Sequence, residues 1–257
     1  MTQTNFTDKL LENYEIIHEL WKNGTDSQAA MISFISDIIK QNNKKHFNIL
    51  EAGFGDGYTT KLLLGTSPNV SVTAVDDNAK MFEKGIVTLE QIAAQNGGKV
   101  ATGKKRAMLY TPEGSLRAEY LHMGVEESFE HFTSASFDGF ASGWCLHSCT
   151  LEQRERIFKG LSKVVAPGGF YANADRYGHD DEQEHQIALE QQLENYRKLI
   201  DAGLPQMYKE WIAHSAQDET HRFTPSEQQK LLTANGFNKG KNIFRDGLAA
   251  TFVSQKE

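Results

Sequence analysis

The stretch NILEAGFGDGYTT, residues 48 to 60, constrains the fold more than any other part of the chain. Its first residues, through Glu51, read as a short buried strand, and Tyr58 to Leu64 read as the start of a helix. Between them Gly53, Gly55 and Gly57 alternate. Glycine at such density is entropically costly unless the backbone must turn tightly or let a ligand approach closely. A strand, a tight turn and a helix, in that order, form the first half of a βαβ unit.

The rest of the chain repeats this alternation. Strands are expected at 47–51, 71–76, 118–123, 137–142 and 169–174, with helices such as 79–95 and 151–165 between them. The implied fold is α/β: a Rossmann-like, doubly wound, mostly parallel sheet. Before it, Leu10, Tyr14, Ile17 and Trp21 share one helical face, and Met31, Ile35 and Ile38 share a second, capped at Asp26 or Ser27. After it, Thr224, Pro225, Ser226 and Glu227 spell a capping box, Asn235 and Gly236 a stop, and NIFRDGLAATFV two strands around an Asp246-Gly247 turn. The last strand is therefore antiparallel. A single domain follows: a helical cap over 1–45, a core over 46–175 and 224–257, and an inserted helical lid over 176–223.

At 257 residues, with 39% hydrophobic and 24% charged residues, the chain is globular, and it has no apolar run of bilayer length. Its acidic, amphipathic start is unlike a secretory signal, and Cys145 and Cys149 are too few for a disulfide framework. The expected compartment is cytoplasmic. Net charge is −7, and residues 177–222 hold ten acidic against four basic side chains. The one basic cluster, Lys99, Lys104, Lys105 and Arg106, reads as a solvated loop. Neither nucleic acid nor membrane is an expected partner; a homodimer is compatible with the sequence.

The glycine spacing separates cofactors. A dinucleotide fingerprint is G-x-G-x-x-G, whereas Tyr58 stands where its third glycine belongs. Glu51, at the strand's end, places a carboxylate that suits an ammonium better than a pyrophosphate. Together ILEAGFGDG, the acid closing VTAVDDNAKM, FDGFASGWCLHS and LSKVVAPGGF resemble the successive motifs of the class I S-adenosylmethionine-dependent methyltransferases of small-molecule type. The likeness covers about 47–175 and 225–254.

That resemblance implies S-adenosylmethionine as cofactor. Gly53, Gly55 and Gly57 would admit its methionine and ribose parts, with Glu51 near the amino group. Asp76 would accept both ribose hydroxyls, although its position also suits a helix N-cap. Asp77, Gly124 and Val125 would border the adenine, the last two by backbone where the family often has an acid. Ser142 and Gly143 would meet the methionine end. His147, beyond the fourth strand, is the best-placed base, although a histidine there often only packs or caps.

The acceptor, a small molecule, is expected over the carboxyl ends of the strands. Candidate covers are the N-terminal helices with Tyr14 and Trp21, the 97–117 link as an extra hairpin, and the 176–223 lid. In the lid Leu189, Leu193, Tyr196 and Ile200 share one face, and Met207, Tyr208, Trp211 and Ile212 form a second apolar cluster. Asp175, Arg176 and Tyr177 leave the fifth strand where an acceptor would touch them. No metal is expected: the fourth strand runs into Gly143, Trp144 and Cys145 without an acid, and DRYGHDDEQEH reads as an exposed helix start. Alternative readings are an aminopropyl transferase, echoed by Gly55-Asp56-Gly57 but lacking its aspartate-rich stretch, and a non-catalytic binding protein of the same fold.

Overall fold

The computed structural model describes residues 16, 21–42 and 44–257. Leu10, Tyr14 and Ile17 lie outside the described residues. A helix α1 (Lys22–Gln41) precedes β1 (Phe47–Ala52), α2 (Tyr58–Thr66), β2 (Val70–Asp76) and α3 (Ala79–Asn96). Three strands follow, β3 (Lys99–Thr102), β4 (Arg106–Tyr110) and β5 (Leu116–His122), then the short α4 (Val125–Ser128) and β6 (Phe137–Gly143). A 3₁₀ turn at Leu146–Ser148 leads to α5 (Leu151–Val164) and β7 (Val165–Arg176). The insertion consists of α6 (Glu182–Tyr196), α7 (Lys198–Asp201) and α8 (Pro205–Glu219), after which α9 (Pro225–Ala234), β8 (Lys241–Asp246) and β9 (Ala249–Gln255) close the fold.

The strands form one nine-stranded sheet in the order β3-β4-β5-β2-β1-β6-β7-β9-β8. From β5 to β7 neighbours run parallel, and both edges are antiparallel. The 97–117 link is indeed a hairpin, and it extends the sheet beyond β5. Its basic residues are part of it: Lys99 opens β3 and Arg106 opens β4, so only Lys104 and Lys105 occupy the turn.

Alternation along β1 sends its side chains to two cores. Ile49 packs with Met31, Ile35, Leu63 and Leu89 on the α1–α3 side, whereas Leu50 packs with Phe140, Ile157, Leu161 and Leu232 under α5 and α9. A third cluster, Tyr196, Leu199, Met207 and Trp211, binds the insertion together, with Trp21 against it. Ile200 is exposed instead of lying on that face, because α6 ends at Tyr196 and the chain restarts as α7, turning Leu199 inward.

The predicted cap of the second helix is displaced. α1 begins at Lys22, and Asp26 and Ser27 lie within it. Ser27 is buried, its hydroxyl donating to the Gly24 carbonyl while its own carbonyl accepts from Thr251 on β9. Tertiary packing on the sheet thus extends the helix past a local capping signal.

Candidate active site

The strand order reverses at β1, which has β2 on one side and β6 on the other, so a crevice opens beyond their carboxyl ends. Ala52 is level with Val75 and Ser142 across both ladders, which brings Gly53, Asp76 and Gly143 together at its mouth. The cleft there has an empty volume of about 1400 Å³ and is open to solvent.

The glycine turn is shaped by contacts a side chain would break. Gly53, at φ +69°, would place a Cβ 2.4 Å from the Cys145 Sγ, and Gly143 would place one 2.5 Å from the Thr59 Oγ1. Gly57, at φ +86°, packs inward on Tyr120 and Thr88 and precedes α2. Gly55 has nothing within 4 Å of such a Cβ and opens onto the cleft.

Asp76 lies on the cleft wall, 8% exposed. Its Oδ2 accepts the Gly55 N–H at 3.0 Å and its Oδ1 the Asn78 N–H at 2.9 Å. The helix-capping duty falls to Asn78, whose side chain accepts from Lys80 and Met81. Among the described residues each Asp76 oxygen therefore keeps an unused lone pair, a pattern suited to a vicinal diol. Burial outweighs the two backbone bonds and pushes its pKa up to about 6.

Glu51 lies deeper, wholly buried beneath the turn. Its Oε2 accepts the Thr60 hydroxyl at 2.5 Å, and among the described residues nothing pairs with its Oε1. Burial drives its pKa up to about 8 against the Thr60 bond. A buried carboxyl with a spare oxygen suits an ammonium group.

Three predicted residues occupy other ground. Ser142 is buried and ties its hydroxyl to the Ala52 carbonyl at 3.2 Å. Gly124 and Val125 border a neighbouring hollow that shares Asp77 with the main cleft.

Beyond β6 the chain turns sharply at Trp144, a bulky residue at φ +56°. The Ala174 carbonyl holds its N–H at 2.8 Å, and its indole lies on Gly24, 3.2 Å from where a Cβ there would be. This turn delivers His147, on the 3₁₀ turn, to the cleft. Its Nδ1 lies 2.5 Å from the Asp175 Oδ1, and its backbone N–H donates to Oδ2 at 3.1 Å. A carboxylate only accepts, so Nδ1 carries a proton, and in the neutral imidazole Nε2 is the nitrogen with the lone pair. Burial disfavours a charged His147, but Asp175 and Asp218 outweigh it and raise its pKa above the ordinary value.

Arg154 fixes this turn from behind. It is 2% exposed and donates to the carbonyls of Leu146, His147 and, at the end of the insertion, His221.

The residues leaving β7 divide. Arg176 lines the cleft and is braced by Gln192 and Glu219. Asp175 instead orients His147, and Tyr177 is fully buried with its hydroxyl between Asn173 and Gln228, out of reach of any acceptor. Leaving the strand, Asp175 and Tyr177 point to the core side and only Arg176 to the crevice. The insertion brings residues the sequence reading missed: Asn195, His214 and Asp218 line the same cleft. Their only local signal is the four-residue spacing of His214 and Asp218, which puts the two on one face of α8 without placing that face at the cleft.

A profile of the methyltransferase-domain family matches residues 50–173, the span that carries the glycine turn, Asp76 and β6. That span is a methyltransferase domain, built on the Rossmann-like sheet of the class I S-adenosylmethionine-dependent enzymes. S-adenosylmethionine is its cofactor, and Asp76 and the open Gly55 on the cleft wall fit that group, whereas Glu51 lies behind the lining, wholly buried.

Among solved structures this methyltransferase is similar to YcgJ of Bacillus subtilis, 14% identical over 91% of this chain and 99% of that one, TM-score 0.55. It is similar to the Burkholderia thailandensis 1,6-didemethyltoxoflavin-N1-methyltransferase, 16% identical over 96% and 85% of the two chains, TM-score 0.53. It spans only 54% of the CurJ carbon methyltransferase structure, at 14% identity over 88% of this chain, TM-score 0.55. At such identities the likeness is one of fold. No curated protein matches the sequence well enough to count as a relative. No helix among the described residues is long and apolar enough to cross a membrane.

Proposed function

We propose that this methyltransferase acts on a small-molecule acceptor that gives up a proton as it reacts, with His147 as general base. The observation that carries the reading is the His147–Asp175 pair, a buried carboxylate holding the imidazole so that Nε2 is the basic nitrogen at the cleft. S-adenosylmethionine supplies a methyl group already activated on a sulfonium, ready for in-line displacement.

The chain's task is then to hold, orient and deprotonate. Asp76 receives the ribose hydroxyls and Glu51 the amino end, while Gly53, Gly55 and Gly143 leave the backbone close to the cofactor. Trp21, Trp144, Tyr196 and Trp211 wall the cleft and exclude water from an acceptor beside His147. A neutral amine would need no base, so the pair favours a hydroxyl, an acidic N–H or a carbon acid. In this reading 176–223 is the lid that selects the acceptor, and Arg176 is its nearest fixed charge. The toxoflavin-precursor enzyme, solved with a small acceptor and S-adenosylhomocysteine bound, supports a small-molecule substrate.

Calorimetric titration with S-adenosylhomocysteine tests the cofactor site. Micromolar affinity, about −8 kcal/mol, with none for NAD, is expected. An acceptor screen that follows S-adenosylhomocysteine release then tests the base: His147→Asn should lower kcat by about 100-fold or more while S-adenosylhomocysteine affinity stays unchanged. Equal turnover in that variant would remove His147 from the chemistry, and a protein blind to S-adenosylhomocysteine would remove methyl transfer itself.

A further inference from the structure

His147 meets two further potential ligands at the inner end of the cleft. On α8, His214 and Asp218 lie one turn apart and face the same way, and their Nε2 and Oδ2 atoms are 3.5 Å apart. The same Oδ2 is 3.8 Å from the His147 Nε2, and one ligand atom from each of the three residues lies within 4.8 Å of the others. Asp218 is only 5% exposed, and its carboxylate accepts no hydrogen bond from any described residue; the two imidazoles are its ionic neighbours.

We propose that His147, His214 and Asp218 form a binding site for one divalent transition-metal ion. Two imidazoles and one carboxylate are a nitrogen and oxygen set that favours zinc, cobalt, nickel or iron over magnesium or calcium. Ligands about 2.0–2.2 Å from such an ion stand roughly 3–3.5 Å from one another. The His214–Asp218 edge already has that length and the His147–Asp218 edge is within a few tenths of an ångström of it, while the third edge, at most 4.8 Å, closes by a rotation of the imidazoles.

The surroundings are those of a built site. Asp175 bonds the outer nitrogen of His147, the carboxylate–histidine pairing that fixes a metal-bound imidazole in its tautomer and orientation. The cleft itself leaves the remaining coordination positions open.

One consequence rests on the base reading of His147. An ion there takes the same Nε2 lone pair that would accept the acceptor's proton, so metal and proton transfer compete, and the ion acts as an inhibitor. The site itself does not depend on that reading, and its test does not use turnover.

The full-length protein, stripped with EDTA, is titrated with cobalt(II) and followed by its visible d–d absorption. One equivalent should bind and be displaced by zinc(II). Asp218→Asn and His214→Gln, which keep side-chain volume, should each weaken binding by about tenfold or more. The exposed His131→Ala should bind as the parent does, and circular dichroism checks that every variant is folded. No band at one equivalent in the parent, or a band that survives both α8 substitutions in folded protein, would overturn the site. Loss of S-adenosylhomocysteine binding, read separately by calorimetry, is instead a failure of the methyltransferase reading.

Discussion

Asp76 is ready for a diol because backbone N–H groups occupy only part of its acceptor capacity, and that arrangement makes cofactor binding depend on pH. With its pKa pushed to about 6 by burial, the free site is largely protonated below that value. In the proposed cofactor site the ionised form would accept both ribose hydroxyls, so S-adenosylhomocysteine affinity should rise as pH rises through about 6. Asp76→Asn should weaken binding by about tenfold or more, the loss of a charge-assisted hydrogen bond, and should flatten that pH dependence; calorimetry across pH 5 to 8 measures both. Glu51 has the opposite relation to stability. Its folded pKa of about 8 lies above the ordinary 4.5, so the folded state keeps a proton that the unfolded chain releases. Stability is therefore lost as pH rises from about 4.5 towards 8, by an amount on the order of a few kcal/mol. Glu51→Gln should remove this slope and raise the apoprotein's melting temperature at pH 8, while weakening S-adenosylhomocysteine, whose ammonium would otherwise offset the buried charge.

At the scale of elements, the turn that carries His147 is held by a cation. Arg154 is almost wholly buried, and its charge is satisfied by carbonyls of the 3₁₀ turn and of the chain leaving α8, with Phe223 4.1 Å beneath it. Arg154→Met keeps much of the volume but leaves those carbonyls without donors, at about 1–3 kcal/mol for each buried group left unsatisfied. A drop of some 3 kcal/mol in stability is expected in chemical denaturation, with misplacement of His147 visible as a shift in its NMR titration. Much of this element order was legible beforehand, because hydrophobic period, the Thr224 capping box and the glycine turn are local signals. The site was legible only where it is local too. Gly53, Gly55, Asp76, Gly143 and His147 adjoin strand ends and reach the cleft. Tyr177 misled because one residue of strand phase decides between core and crevice, and the pairing of β7 with β6 and β9 fixes that phase. His214 and Asp218 stay hidden because some 70 residues separate them from His147, and only the folded insertion closes that distance.

For the whole molecule, the insertion is packed as a unit of its own. Among the described residues its apolar cluster shares no buried residue with the two cores of the sheet, and its tie to the rest includes Trp21, whose ring meets Tyr196 at 4.8 Å and Trp211 at 4.7 Å. A subunit of structure held by few large contacts opens at a lower free energy than the sheet it covers. Trp21 also begins the path to the cofactor, because it immediately precedes α1, whose Gly24 receives the Trp144 indole and whose Gln28 donates to Thr59 at 2.9 Å beside the glycine turn. Closure of the insertion and occupation of the glycine turn therefore bear on the same helix. Trp211→Ala should cost the insertion about 3–5 kcal/mol of packing. Hydrogen exchange should then speed across 182–219 while β1 and β6 remain protected, and S-adenosylhomocysteine should slow exchange in the insertion of the parent protein more than in the variant. Uniform loss of protection through the sheet would show instead that insertion and core unfold as one, and the separate opening of a lid would have no physical basis.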